Sequence, residues 1–350
     1  MRIVFLCDTM GSGGAERVIS SLSNQFVSSE NDVYILMISN VANGSFYFLD
    51  NRVDLSVLSK KKYNFFKKSS LLRKELLKIK PDVVIAFLSH VCIYTWWALR
   101  YTNIPYIVSE RNDPNQRNIL KQFLLNCSFK KSIGCVFQTS DAFKWYESFA
   151  GAKSTVIYNP VSLDCVSYVC VRPKKQILFV GRLSEQKNCF MLLEAFKLFL
   201  KKHTDYQLKM YGSGPLHSEL KQYINKLSLD NYVIMLPSSK TWQKDEYESA
   251  VFVLPSKYEG MPNVLAEALC LGIPSVSTNC TIGGPKELAK LFPTQLVLSK
   301  DMSAASLCEA MEVSIKLERG KPHIPEQLDI EVVSNQWLTF INQRLTSIKR

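Results

Sequence analysis

A chain of 350 residues with 47% hydrophobic content can bury two ordinary cores, and its length favours two domains. Its ten cysteines show no C-x-x-C pair and no shared spacing, and His90, His203, His217 and His323 are scattered, which argues for free thiols over a disulfide or zinc framework and leaves no metal site legible. The formal charge of +12 is concentrated in one stretch, since Lys60 to Lys80 holds eight lysines and Arg73 against Glu75 alone.

The opening run MRIVFLCDT is too short for a signal peptide and meets Asp8 at once, so Arg2 to Cys7 reads as a first strand. Gly11 to Gly14 make a turn, and from Ala15 a helix carries Ala15, Val18, Ile19, Leu22 and Phe26 on one face. Short β-rich runs follow at Asp32 to Ser39, Val53 to Leu58, Asp82 to Leu88, Pro105 to Ser109 and Gly134 to Thr139. Their alternation with helical patterns predicts a parallel, doubly wound α/β sheet. The longest apolar stretch, Val83 to Leu99, is interrupted by Ser89, His90 and Thr95 and falls short of the ~20 residues that a spanning helix needs. It reads as a strand and then a helix, and a cytoplasmic protein without a transmembrane anchor is expected. At the first crossover, MGSGGAER places Glu16 where the dinucleotide fingerprint has its last glycine, so these glycines either bring backbone close to a ligand or make a tight turn.

KKKYNFFKKSSLLRKELLKIK interleaves Tyr63, Phe65 and Phe66 with lysines, then sets Leu72, Leu76 and Ile79 at helical spacing. An anionic membrane surface suits that pattern, with apolar side chains in the interface and lysines on the headgroups. A helix packed on its own domain is the other reading, and nucleic acid is not expected as a partner. Further on, Ser109, Glu110, Arg111, Asn112 and Asp113 follow a strand directly, where a parallel sheet places its ligands, although Asn or Asp also caps a following helix.

Residues 162 to 175 lack clear periodicity and hold the linker; the βα alternation then restarts at Gln176 to Val180 and continues through Gln207 to Tyr211, Tyr232 to Leu236, Val251 to Leu254 and Pro274 to Ser277. The first of these strands runs into FVGRLSEQKN, where Gly181 lets the backbone turn and Arg182 and Lys187 leave the carboxyl end of the strand. MYGSGP repeats the device with Gly212 and Gly214. VFVLPSKYEGMPNVLAEALCLG is strand, loop and helix, in which Pro262 suits the first helical turn and Gly272 a left-handed cap. The helix start brings free N–H groups to a strand end, a geometry that accepts phosphate. Glu259 and Glu267 either border one cavity and hold hydroxyls, or are an exposed turn residue and a helix-dipole residue. Val333, Trp337, Phe340 and Ile341 make Ile330 to Leu345 a last helix.

EGMPNVLAEAL, with Glu259 and Glu267 in an E-x7-E pattern, resembles the donor-site motif of the retaining glycosyltransferases of family four. GGAER, GRLSEQKN, YGSGP and TNCTIGGPKEL, in that order, extend the resemblance along nearly the whole chain, and SERNDP is similar to a segment of members that build bacterial surface glycans on polyprenyl diphosphate carriers. The resemblance implies a GT-B fold of two Rossmann-like domains facing a cleft: 1–165 for the acceptor, 166–328 for the nucleotide sugar, and 329–350 as a helix packing back on the first domain. It implies transfer, with retention and with no metal or other cofactor, of a hexose or N-acetylhexosamine from a UDP-sugar to a polyprenyl-diphosphate-linked glycan of O-antigen, capsule or a related polymer. The enzyme would be peripheral on the inner face of the cytoplasmic membrane.

In the same terms Arg182 and Lys187 stabilise the leaving diphosphate, Glu259 holds the sugar and Glu267 the ribose. The backbone of Gly181, Gly212, Gly214, Gly260, Met261, Pro262, Asn263 and Val264 approaches the donor. Gly13, Gly14, Arg17, Glu110, Arg111 and Asn112 are the candidates in the first domain. Many relatives carry a histidine after the strand that here ends in SERND; Glu110 or Arg111 takes that place or the role is absent, and His90 reads as a structural histidine. Pro237 stands where a glycine is common, in a region that frames the nucleobase, for which uracil is preferred. A sugar-nucleotide 2-epimerase, or a silent sugar-nucleotide binder, are the other readings; the first lacks the E-x7-E arrangement, and intact Arg182, Lys187, Glu259 and Glu267 argue against the second.

Overall fold

Strands of a parallel sheet are covered by helices on both faces, so they are written as near-continuous apolar runs. In the first half these runs become β1 (Arg2–Cys7), β2 (Asp32–Met37), β3 (Asp54–Val57), β4 (Val83–Phe87), β5 (Tyr106–Ser109), β6 (Gly134–Phe137) and β7 (Ser154–Val156). All pair in parallel in the order β3-β2-β1-β4-β5-β6-β7, with Ile3 opposite both Val33 and Val83. Between them run α1 (Gly14–Ser28), α2 (Phe65–Ile79), α3 (Ser89–Leu99), α4 (Ile119–Lys131) and α5 (Ser140–Ala150). Asn64 caps α2 by accepting from the Lys67 amide at 2.9 Å, and Thr139 caps α5 by accepting from Ala142 at 3.1 Å.

The second half repeats the design. Its strands are β8 (Lys174–Val180), β9 (Gln207–Tyr211), β10 (Val233–Leu236), β11 (Ser249–Leu254), β12 (Ser275–Thr278) and β13 (Leu296–Ser299), parallel in the order β10-β9-β8-β11-β12-β13. The helices are α6 (Cys189–Leu200), α7 (His217–Lys226), α8 (Trp242–Glu246), α9 (Asn263–Cys270), α10 (Gly284–Leu291) and α11 (Ala304–Ser314), and α12 (Ile330–Lys349) closes the chain. The computed structural model describes residues 1–39, 44–111, 119–163 and 172–349, and divides into one unit of 1–162 with 326–350 and a second of 163–325. Asn112 lies outside the described residues.

α12 belongs to the first unit because its apolar face is buried there: Val333, Trp337 and Ile341 are fully covered, and Trp337 stacks on Phe87 with ring centroids 6.1 Å apart. Burying such a side chain contributes about 3 kcal/mol. In both sheets the strand order reverses at one place, between β1 and β4 and between β8 and β11. Ligands of doubly wound sheets bind outside the carboxyl ends of the strands at such a reversal.

Three local readings are corrected. Leu72 and Leu76 of α2 do not face outward; both are fully buried, and Phe65 stacks on Tyr94 of α3 at 4.7 Å, so the helical period records packing against the neighbouring helix. Pro262 precedes α9 as its N-cap, with an extended backbone, and is not in the first turn. The first sheet, which the sequence pattern ends at Val156 to Val161, ends in β7, which starts two residues earlier, and the edge strand β13 joins a sheet whose other strands are legible in the sequence. Gly272 closes α9 with φ 73, the left-handed conformation its position predicted.

Candidate functional site

In the second unit two loops leave the sheet on either side of the reversal. One follows β8 and turns at Gly181; the other follows β11 and runs from Pro255 to the start of α9. Three successive links lock them together: the Lys257 amide donates to the Gln186 carbonyl at 2.8 Å, the Gln186 amide side chain donates to the Tyr258 carbonyl at 3.0 Å, and Lys187 Nζ donates to Glu259 Oε1 at 2.5 Å. The side chains of Lys187 and Glu259 are 15% and 9% exposed. Two residues far apart in sequence therefore share one nearly water-free ion pair, and the backbone register on both sides sets its place. Arg182, on the same loop, is exposed and makes no ion pair among the described residues.

Glycines let further loops close in. A Cβ on Gly212, at the end of β9, would collide with the Gly181 carbonyl, and one on Gly284, at the start of α10, would collide with the Gly260 carbonyl. Gly214 lies against the backbone of Leu183. Gly181, Arg182, Lys187, Gly212, Gly214, Glu259 and Gly260 are thus brought to one edge of one sheet. Met261, Pro262 and Asn263 follow as buried residues, Val264 is half-buried, and at the start of α9 the Leu265 and Ala266 amides both donate to the Pro262 carbonyl at 3.1 Å.

Glu267 sits one turn into α9 and is 1% exposed. Its Oε2 accepts from Gln243 Nε2 at 2.7 Å, and Gln243 is itself buried on α8. The same short helix carries Glu246, also buried, which accepts from Tyr211 Oη at 2.7 Å and from Lys209 Nζ at 2.8 Å. Sequence reading passed over both α8 residues, because a helix of five residues shows no period and a Gln carries no charge to notice.

In the first unit, Gly13 caps α1 with its side-chain-free backbone exposed, Gly14 opens the helix, and Arg17 lies over the Tyr47 ring at 5.7 Å. Glu110 is buried and accepts from the Arg111 amide at 2.8 Å. Arg111 donates through Nε to Ser109 at 3.2 Å and through a terminal nitrogen to Asn159 at 2.5 Å, and its guanidinium lies 4.4 Å from the Phe87 ring centre. Burial pushes the Arg111 pKa down to about 9, which leaves it charged at neutral pH. Both residues are engaged in internal contacts at the end of β5. At the β1/β4 reversal, His90 Nε2 lies 3.5 Å from Asp8 Oδ1 and Ser39 Oγ donates to the same carboxylate at 2.6 Å. The His90 contact foremost, and that hydroxyl, outweigh burial and hold the Asp8 carboxyl at about 2.

Two parallel sheets, each with a reversal of strand order furnished with polar loops, define a pair of Rossmann-like domains. The family model described as Glycosyltransferase Family 4 matches residues 12–164, and that described as Glycosyl transferases group 1 matches residues 170–326. The chain belongs to the glycosyltransferases, with a family 4 domain followed by a group 1 domain, and its fold is GT-B. It is 28% identical, over 97% of its length and 98% of the relative's, to GalNAc-alpha-(1->4)-GalNAc-alpha-(1->3)-diNAcBac-PP-undecaprenol alpha-1,4-N-acetyl-D-galactosaminyltransferase of Campylobacter jejuni. Among solved structures it is similar to a sucrose-phosphate synthase from Thermosynechococcus elongatus, with TM-score 0.81, 12% identity and 99% and 100% of the two chains covered. It is also similar to Anabaena HepE in complex with UDP and glucose, with TM-score 0.76, 16% identity and 100% and 99% covered. Both structural likenesses speak for the fold.

Proposed function

We propose that this glycosyltransferase moves a hexose or N-acetylhexosamine from a UDP-sugar to a polyprenyl-diphosphate-linked glycan in bacterial surface-glycan synthesis, with retention of configuration and without a metal. The observation that carries this reading is the locked pair of loops at the β8/β11 reversal, which sets Lys187 and Glu259 beside an exposed Arg182 and the start of α9. A diphosphate gains negative charge as the glycosidic bond breaks, and fixed cations with helix amides lower the energy of that charge. Lys187 and Arg182 take that role, Glu259 holds the sugar hydroxyls, and Glu267 holds the ribose. The relative that acts on an undecaprenyl-linked glycan supports the acceptor class, and the fold shared with a UDP-bound protein supports the donor.

Gly13, Gly14 and Arg17 serve the acceptor in the first unit. The lysines of 60–80 hold the enzyme on anionic lipid, on the inner face of the cytoplasmic membrane. Among the described residues no helix is long and apolar enough to cross a membrane, and no three His, Cys, Asp or Glu side chains group as a metal site would require.

The direct test is a panel of UDP-sugars offered to the purified enzyme with extracted polyprenyl-diphosphate glycans, the product solved by NMR. An axial-to-equatorial change at the transferred sugar, or loss of activity with EDTA, would remove the retaining or the metal-free part. Gln243 gives a finer check. If it orients Glu267 for the ribose, Gln243→Leu is expected to weaken UDP binding about tenfold, the loss of one hydrogen bond to a charged group. Calorimetry showing wild-type affinity in a folded variant would separate the two residues.

A further inference from the structure

The first unit holds a second group of reactive side chains that the donor chemistry leaves unused. β4 passes into α3 through Leu88, which takes φ 75 and ψ 148, a region that residues with a side chain rarely occupy. The strained turn is held at both ends: the Leu88 amide donates to the Ser109 carbonyl at 3.1 Å and its carbonyl accepts from Cys92 at 3.0 Å. Its effect is to put His90 at the carboxyl edge of the sheet, beside Asp8 from the end of β1, across the reversal of strand order.

The two side chains are 40% and 38% exposed, so a solute reaches them. Asp8 is ionised at every ordinary pH and lies 3.5 Å from His90 Nε2, which favours the ring proton on that nitrogen and leaves Nδ1, which makes no hydrogen bond among the described residues, as the ring atom available to a ligand. The surroundings are those of a hydroxyl-rich ligand site. Lys68 of α2 and Tyr94 of α3 lie within the field of Asp8, with the Lys68 ammonium 5.6 Å from the Tyr94 ring centre. Phe65 and Tyr94 stack as an aromatic floor. An imidazole lone pair, hydroxyl and carboxylate partners and an aromatic ledge are what a sugar needs, hydrogen bonds for its hydroxyls and a flat apolar face for its ring.

We propose that His90, oriented by Asp8, accepts a hydrogen bond from a hydroxyl of the acceptor sugar next to the attacking one and so positions the attacking hydroxyl, whose own proton stays free for the leaving phosphate. This rests on the acceptor being a glycan, as proposed above. No bond is made or broken at His90: the attacking hydroxyl keeps its proton until it passes to the leaving phosphate.

The experiment compares transfer with acceptor-free hydrolysis of the UDP-sugar in the full-length enzyme, using a polyprenyl-diphosphate glycan extract that the wild type glycosylates. His90→Ala is expected to lower kcat/KM for the acceptor about 30-fold, the effect of leaving a substrate hydroxyl without its partner, and His90→Gln to recover it to within about fivefold. Asp8→Asn is expected to lose about tenfold, through misorientation of the ring. Hydrolysis of the donor and binding of UDP stay within about twofold of wild type in all three, because a lost acceptor contact leaves the donor's interactions intact. Wild-type acceptor kcat/KM in His90→Ala, or hydrolysis falling in step with transfer, overturns the assignment; should His90→Ala not fold, the same comparison in His90→Gln and Asp8→Asn decides it. A wild type that glycosylates no such extract overturns the functional reading itself, and this assignment with it.

Discussion

Lys187→Ala is expected to lower kcat/KM for transfer by about 10²–10³, the range found when one preorganised partner of a developing anion is removed. The ammonium is worth more here than on an open surface, because its side chain is 15% exposed and its Glu259 partner 9%. Its removal also strips Glu259 of a buried counter-charge, and breaking a buried pair in this way costs about 3 kcal/mol of stability. The two effects separate in a double-mutant cycle. If Lys187 only braces the loops, Lys187→Ala with Glu259→Gln is no slower than Glu259→Gln alone, since no lone charge is left. If Lys187 acts on the diphosphate, the double variant is slower than Glu259→Gln alone while its melting temperature recovers. Arg182 is the control, being exposed and outside any ion pair among the described residues. Its loss should reach kcat without moving the melting temperature. Full transfer by a folded Lys187→Ala enzyme would end the assignment of Lys187 to the leaving group.

The architecture was readable because parallel strands write themselves as apolar runs between Gly and Pro, and because α12 repeats Val333, Trp337, Phe340 and Ile341 along one face. Motif order carried the resemblance for the same reason: each motif sits where a strand ends. What could not be read were partners. Lys187 and Glu259 lie 72 residues apart, and only the register of two loops makes them one pair. Gln243 meets Glu267 from a helix too short to show a period. Nothing marks Leu88 as strained, because a left-handed turn is read from glycine and this one is built without it. His90 therefore reads as an ordinary histidine until Asp8 is seen beside it. The helical period of α2 was visible, but a period tells that a face is buried and not against what, which is how Leu72 and Leu76 came to be assigned to lipid.

Neutralising Lys60, Lys61, Lys62, Lys67 and Lys68 to Gln is expected to weaken binding to phosphatidylglycerol vesicles by about 10³–10⁴, since each basic residue near an anionic surface contributes about 1 kcal/mol. These lysines flank the start of α2, and with Leu72 and Leu76 buried the exposed apolar side chains beside them are Phe66, 65% exposed, and Tyr63, 36% exposed. The contact is therefore shallow and mostly electrostatic, and raising salt should weaken it steeply while leaving the fold alone. Phe66→Ser should lose a further part of the binding, about 2 kcal/mol for one aromatic side chain withdrawn from the interface. Leu72→Ser should instead lower the melting temperature, because that residue lies in the core. Position gives the patch its meaning. α2 follows β3 and starts at the carboxyl edge of the first sheet, the edge that also carries Gly13, Gly14 and His90. A bilayer held there meets the loops that would receive a lipid-linked sugar, so loss of vesicle binding should raise the KM for a polyprenyl-linked acceptor, and the variant that keeps Lys68, which lies near Asp8, should leave that for a short soluble glycan unchanged. Binding that survives the five substitutions would move the membrane contact to another face.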